Sequence, residues 1–86
     1  MAERFTEKQG QYLAFIYNYS VIFGQAPAEA DLQRFFGTSS PTIHQMLVTL
    51  SEKGLISRTP GKARSIQLLV EPQEIPQLVR PNAARA

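Results

Sequence analysis

Apolar side chains recur at helical spacing through the first third of the chain. Their intervals of three and four residues predict one amphipathic helix. The helix is expected to begin at Thr6, because Thr6 and Gln9 have the spacing of a capping box, and to end at Gly24. The apolar positions that predict its buried face are Tyr12, Phe15, Ile16, Tyr19 and Phe23.

The same helix carries a second apolar stripe, formed by Leu13, Tyr17 and Val21. A helix that is apolar around so much of its circumference is either central to a core or also covers a partner. The first interpretation is favoured, because the leading helix of a small three-helix fold packs against several neighbours. The alternative is a homodimer contact through these three residues.

A second, shorter helix is predicted from Ala28 or Glu29 to Phe36. Pro27 disfavours helical geometry in the residue before it, and Gly37 is a stop signal. The apolar side of this helix is expected at Leu32, Phe35 and Phe36.

A third helix is predicted over residues 40–53. Ser40 is a good N-cap, Pro41 suits the first helical position, and Gly54 follows the last turn. One side of this helix is apolar, at Ile43, Met46, Leu47 and Leu50.

The opposite side of the third helix carries uncharged hydrogen-bonding groups in place of the usual lysines and glutamates. Such a face suits the major groove of DNA, because it can read base edges without repelling phosphates. An ordinary polar helix surface is the alternative, and His44 is as easily a surface histidine without a role. The candidate base-reading residues are Ser40, Thr42, His44, Gln45 and Thr49.

The second and third helices, joined by a short turn with Gly37, have the pattern of a helix-turn-helix. Strand-like sequence follows over 55–59 and 64–70, separated by turn residues at 60–63. Three helices and then a β-hairpin is the order of an α+β winged-helix domain, with the wing over 57–66.

The wing region is basic, with four cations within 12 residues. Such a run is usually a solvated strand face, and the alternative is that its cations neutralise phosphates. The candidate phosphate and wing residues are Ser39, Lys53, Arg58, Lys62, Arg64 and Ser65.

Residues 71–86 contain Pro72, Pro76 and Pro81, and their four charges cancel. This composition predicts an extended, mobile tail outside a domain that covers residues 1–70. The alternative is that its apolar residues dock on the core or on a partner, namely Ile75, Leu78 and Val79.

Composition narrows the function classes further. The 86 residues suffice for one small domain, and a formal charge of +2 argues only weakly for nucleic acid. The chain has no cysteine, no apolar run long enough to cross a membrane, and a single histidine. We find no paired carboxylates or nucleophile–base set, so we expect a cytoplasmic protein that is not an enzyme and needs no cofactor or metal.

Several runs of the sequence resemble the N-terminal DNA-binding domain of the LexA repressor family, over about three quarters of the chain. The resemblance implies a sequence-specific regulator of transcription that binds double-stranded DNA, from a bacterium, a phage or a mobile element. The matching runs are Phe5-Thr6-Glu7-Lys8-Gln9, Ala26-Pro27, Ser39-Ser40-Pro41-Thr42-Ile43-His44, Leu50-Ser51-Glu52-Lys53-Gly54-Leu55-Ile56 and Lys62-Ala63-Arg64-Ser65-Ile66-Gln67-Leu68.

The departures from the family matter as much. LexA repressors carry a self-cleaving peptidase domain with a Ser/Lys dyad, and these 86 residues contain neither that domain nor its cleavage site. Self-cleavage and regulation of the SOS response are therefore not implied. Phe35 and Phe36 also stand where the family has one polar and one aliphatic residue. They motivate a competing hypothesis, in which the winged helix binds another protein through these rings or through the first-helix stripe.

Overall fold

The computed structural model describes residues 4–81, and within them it has the predicted winged-helix architecture. Three helices lead the chain, α1 (Glu7–Phe23), α2 (Glu29–Phe36) and α3 (Ser40–Glu52). Two short antiparallel strands follow, β1 (Ile56–Ser57) and β2 (Gln67–Leu68), with Ile56 opposite Leu68 and Ser57 opposite Gln67. A 3-10 turn over Pro72–Glu74 comes last.

The ends of α1 confirm the capping prediction. The Gln9 N–H donates to the Thr6 hydroxyl over 3.1 Å, and the Gln9 side-chain oxygen accepts from the Thr6 N–H over 2.9 Å. Two amide groups that the helix would otherwise leave unpaired are thus satisfied. Gly24 ends the helix in the left-handed conformation.

The N-cap of α3 differs from the prediction by one residue. Ser39 is the cap, since its hydroxyl accepts from the Thr42 N–H over 3.4 Å and donates to the Thr42 hydroxyl over 3.0 Å. Pro41 then falls at the second helical position, where its missing N–H leaves no donor unpaired. Ser40 therefore does not cap the helix, and it lies exposed at the first helical position.

The hydrophobic core lies between the three helices and the hairpin, and α3 contributes the whole of its predicted inner face except Met46, which is half-buried. Leu13 of α1 is also completely buried, so it belongs to the core and cannot form a surface contact between two copies of the chain. The buried apolar side chains are Tyr12, Leu13, Ile16, Leu32, Ile43, Leu47, Leu50, Leu55, Ile56, Ile66 and Val70.

The predicted buried face of α1 does not extend to its last turn. Phe23 is 60% exposed, and Val21 and Ile22 are exposed beside it. The helix has 17 residues and α2 only eight, about 25 Å against about 12 Å in length. The shorter helix cannot cover the longer one along its whole length.

Phe35 and Phe36, the pair that departs from the family pattern, pack against aromatic rings of α1. Phe36 stacks on Tyr12 with 4.1 Å between ring centroids, and Phe35 lies 4.7 Å from Phe15. Both phenylalanines are half-buried. The cluster accounts for these residues as packing within the chain, which removes much of the surface that the protein-binding hypothesis assigned to them.

The strands are shorter than the sequence predicts, although the alternation of side chains holds. Ile66 and Val70 are buried. Leu69, which precedes Val70 in the chain, points the other way and is 54% exposed. Arg64, at the start of the predicted second strand, instead lies in a turn with a left-handed φ of 56°.

Residues 71–81, the start of the predicted tail, run back over the start of α1 and contact it. The Gln11 side chain donates to the Gln77 carbonyl over 2.9 Å and accepts from the Val79 N–H over 2.8 Å. Pro76 packs over Gly10, where a Cβ would come within 3.0 Å of its ring. Docking on the chain itself, the alternative interpretation, therefore describes this segment, and residues 82–86 lie outside the described range.

Gln11→Ala should release this segment. It removes both hydrogen bonds to the chain around Val79, so the Val79 amide should exchange with solvent faster. Gln73→Ala, at an exposed glutamine of the same segment, is the matched control. Amide exchange measured by NMR checks the prediction, and equal Val79 exchange rates in the two variants would contradict it.

Candidate nucleic-acid interface

The outer face of α3 presents most of the predicted base-reading groups to solvent. Ser40, Thr42, His44 and Gln45 are exposed, whereas Thr49 is half-buried. The inner face is held by Ile43, Leu47 and Leu50, all without exposed surface. The helix is thus anchored on one side and free on the other, as an element that reads a groove must be.

The turn between α2 and α3 fixes how α3 is presented. Gly37 adopts a φ of 64°, which L side chains rarely take, and its N–H donates to the Gln33 carbonyl over 2.8 Å. The Thr38 N–H donates to the same carbonyl over 3.3 Å. Two hydrogen bonds therefore end α2 and direct the chain into α3 within three residues.

The N-terminus of α3 is exposed, and its positive dipole end faces solvent beside the hydroxyls of Ser39 and Ser40. Backbone N–H groups at such a position attract anions. Ser39 already bonds Thr42, so Ser40 is the hydroxyl that remains for an external ligand.

The wing is closed by its own side chains. The Ser65 hydroxyl accepts from the Thr59 N–H over 2.9 Å and donates to the Thr59 carbonyl over 3.1 Å. Ser65 therefore shapes the loop, and Lys62 lies exposed at its tip. The sequence placed Ser65 with the phosphate ligands, and its bonding to Thr59 is a role that local alternation did not reveal.

Two of the predicted phosphate cations are engaged with other parts of the chain. The Arg58 guanidinium lies 3.8 Å from the Glu29 carboxylate, and its side chain is only 12% exposed. The Lys53 amine donates to the Gln9 side-chain oxygen over 2.7 Å, although Lys53 itself is exposed. Lys53 is therefore an exposed residue whose amine already makes one hydrogen bond, and Arg58 is largely covered.

Arg64 does not project from the wing tip. Its Nη1 donates to the Tyr19 hydroxyl over 3.1 Å, to the Ala26 carbonyl over 3.1 Å and to Asp31 Oδ2 over 3.3 Å. These acceptors belong to α1, the α1–α2 loop and α2. Arg64 thus ties the wing to the rest of the domain.

Asp31 is the carboxylate at the centre of this arrangement. Its Oδ2 also accepts from the Ala28 N–H over 2.8 Å, and its Oδ1 lies 3.7 Å from Arg34. The Ala28 hydrogen bond, followed by Tyr19 and the two guanidinium groups, holds the pKa of Asp31 below its ordinary value. The pKa of Arg64 is raised, chiefly by its hydrogen bond to Tyr19.

Sequence reasoning missed Tyr19, Ala26 and Asp31 as neighbours of the wing. Asp31 has a helix-start signal in the sequence, and Tyr19 has a core signal, but neither pattern points to a partner 33 or 45 residues away. The sequence offers one indication of this contact: Asp31 is an acidic residue at the start of a helix, where its carboxylate is held in place.

Between residues 4 and 81, no group of three or more His, Cys, Asp or Glu side chains could hold a metal ion. No helix in this range is long and apolar enough to cross a membrane.

Asp31→Asn should weaken folding in a pH-dependent way. Because the folded pKa of Asp31 lies below its unfolded value, the ionised carboxylate stabilises the fold above about pH 4, and this stabilisation is lost as the pH falls through the folded pKa. The free energy of unfolding of the variant should fall below that of the parent chain near neutral pH, with the gap closing in acid. Urea unfolding at several pH values measures the gap, and Glu52→Gln controls for loss of a negative charge. A gap that stays constant with pH would contradict the assignment.

Comparison with known proteins agrees with this geometry. A sequence model described as the LexA DNA binding domain matches residues 2–65. Relatives named LexA repressor include those of Thermosipho melanesiensis (34% identical, covering 85% of this chain and 37% of the relative), Magnetococcus marinus (33%, covering 96% and 36%) and Bacillus subtilis (36%, covering 86% and 37%). This chain spans about a third of the length of these relatives. The region that the model matches contains all three helices, β1 and the wing loop as far as Ser65, and it covers most of the chain. The chain therefore belongs to the LexA DNA binding domain family.

Proposed function

We propose that this protein is a transcription regulator that binds double-stranded DNA in a sequence-specific way, with α3 in the major groove. The observation that carries the proposal is the exposed, uncharged, hydrogen-bonding face of α3, in a chain that belongs to a DNA-binding family. Its relatives are named repressors, so repression is the expected direction of control.

Gln45 is the principal base reader in this proposal. Its exposed amide can donate to and accept from the major-groove edge of one adenine, and the methyl group of Thr42 can contact a thymine. His44 and Ser40 supply further exposed donors. Thr49 is half-buried and acts at the edge of this set.

Phosphate contacts orient the helix in the groove. The hydroxyl and backbone N–H of Ser40 at the start of α3 hold one phosphate, and Ser39 contributes by fixing the cap. Lys62 at the wing tip and Lys53 after α3 neutralise others, with the largely covered Arg58 in a lesser role.

One such module is small for strong specific binding, since a single domain buries roughly 600–1,000 Å² of protein surface on DNA. Two copies on a palindromic site would raise the affinity through their effective concentration. Because Leu13 is buried, a homodimer contact on α1 is restricted to the half-buried Tyr17 and the exposed Val21.

A second candidate function is binding of another protein. It is favoured by the end of α1, where Val21, Ile22 and Phe23 are 67%, 70% and 60% exposed in succession. Adjacent exposed apolar side chains of this size mark contact surfaces. This candidate predicts no enrichment of any DNA sequence.

Selection of bound duplexes from a random pool, followed by salt titration of the best duplex, separates the two. A DNA regulator should enrich one motif, and its affinity should fall steeply as salt rises. A palindromic motif would indicate two copies on the DNA. Absence of any enriched motif would refute the proposal and favour protein binding.

Gln45→Ala should cost about 1–3 kcal/mol at one base pair and relax the preference there. Loss of the amide removes a bidentate contact without changing the charge of the protein. Gln73→Ala, at an exposed glutamine outside the proposed interface, should leave the motif unchanged. Repeating the selection with both variants checks this, and an unaltered motif for Gln45→Ala would remove Gln45 from the interface.

A further inference from the structure

We propose that Arg64 is a positioning residue that holds the wing against the helix-turn-helix, and that it is not one of the phosphate ligands. The inference rests on the proposed function and identifies which residues set the angle at which the wing meets DNA. It also gives Tyr19 and Asp31 an indirect part in DNA binding, through Arg64, although neither residue belongs to the proposed DNA-contacting set.

The contacts of Arg64 carry the argument. One nitrogen of its guanidinium donates to three acceptors on three segments: the Tyr19 hydroxyl, the Ala26 carbonyl and Asp31 Oδ2, at 3.1, 3.1 and 3.3 Å. The guanidinium also lies 5.9 Å from the centre of the Tyr19 ring. A cation that only awaited a phosphate would extend into solvent, where its entropy is highest.

The backbone conformation of Arg64 supports the same inference. Among the described residues other than glycine it alone has a positive φ, at 56°. Residues other than glycine rarely adopt this region, and they hold it where surrounding contacts stabilise it. Here the strained backbone turns the side chain away from the wing tip and toward α2, so the conformation serves the internal contacts.

Asp31 connects this clamp to the DNA-reading unit. The same Oδ2 that accepts from Arg64 accepts from the Ala28 N–H over 2.8 Å and so caps α2. Because α2 leads directly into α3, one carboxylate fixes both the start of the helix-turn-helix and the base of the wing. A groove of about 270 Å³ lies between these elements, and its lining includes Ala28, Glu29, Arg58 and the wing residues from Gly61 to Ile66. The clamp and the ion pair between Arg58 and Glu29, at 3.8 Å, are the side-chain ties that set the angle of the wing beside this groove.

The test compares salt dependence of binding to the selected duplex among variants of the whole chain. Lys62→Ala removes a proposed phosphate ligand, and Arg64→Ala removes the proposed clamp. Arg34→Ala is the matched control, since Arg34 approaches the other oxygen of the same Asp31 and is not part of the wing. Tyr19→Phe weakens the clamp by one hydroxyl without altering any charge.

Lys62→Ala should reduce the magnitude of the salt slope by about 0.9, the contribution of one phosphate contact. Arg64→Ala should weaken specific binding roughly tenfold, since it loosens the wing that carries Lys62. When it is added to Lys62→Ala, the slope should stay at the value of Lys62→Ala alone, because Arg64 itself releases no counterion. Tyr19→Phe should weaken binding in the same direction by a smaller factor. Its effect should disappear in the Arg64→Ala background, because both changes break one unit.

A further fall of about 0.9 in the magnitude of the slope when Arg64→Ala is added to Lys62→Ala would overturn the inference and make Arg64 a phosphate ligand. Full additivity of Tyr19→Phe with Arg64→Ala would overturn it as well. If Arg64→Ala does not fold, as judged by circular dichroism, Tyr19→Phe alone decides: unchanged affinity would reject the clamp.

A measurement on the free protein separates this inference from the proposed function. The Lys62 N–H donates to the Thr59 carbonyl within the wing over 3.0 Å, and its exchange rate reports wing order without DNA. Arg64→Ala and Tyr19→Phe should both accelerate that exchange, whereas Arg34→Ala should not. Faster exchange without any DNA selectivity would reject the proposed function and retain the clamp, and unchanged exchange would reject the clamp itself.

Discussion

The burial of one side of α3 is the constraint on which the rest of this small domain depends. Ile43, Leu47 and Leu50 have no exposed surface, and the core cluster that includes them also draws side chains from α1, α2 and the hairpin. A chain of this size has one core and cannot bury a second face of the same helix. The opposite side of α3 is therefore left to polar groups, and the same packing that stabilises the fold determines what it presents to a partner.

Electrostatics follow from the fold more than from the count of charges. The cations near the wing look equivalent in sequence, but Arg58 lies against Glu29, Arg64 lies against Asp31, and Lys62 remains exposed. Ion pairs with one partly covered member contribute geometry as much as energy, because their value depends on holding both groups in place. Arg58 and Arg64 therefore help to fix the shape of the wing, whereas Lys62 is the charge that remains exposed to attract anions.

Local signals in the sequence predicted most of the fold and the exposed face of α3. The Thr6 and Gln9 capping box, the inner face of α3 and the alternation of Ile66 and Val70 each depend on neighbours close in sequence, so spacing alone identifies them. The contacts that the sequence did not predict are those between distant segments. Nothing near Arg64 indicates Asp31, and nothing near Pro76 indicates Gly10, because side-chain periodicity describes which way a residue points and not what it meets. The predicted burial of Phe23 is wrong for a related reason. Its spacing fits the buried face of α1, but α2 is too short to cover it.

The segment after the hairpin brings late residues back beside early ones. Arg4 and Glu74 form an ion pair at 3.0 Å, and Gln11 holds the chain around Val79. The two ends of the described chain thus leave the domain near the first turns of α1. Domains whose ends lie close together tolerate being cut and rejoined elsewhere. A circularly permuted chain, joined through a short linker and opened in the loop between α1 and α2, is therefore compatible with the same core, although opening it there would separate Tyr19 from Asp31 along the chain.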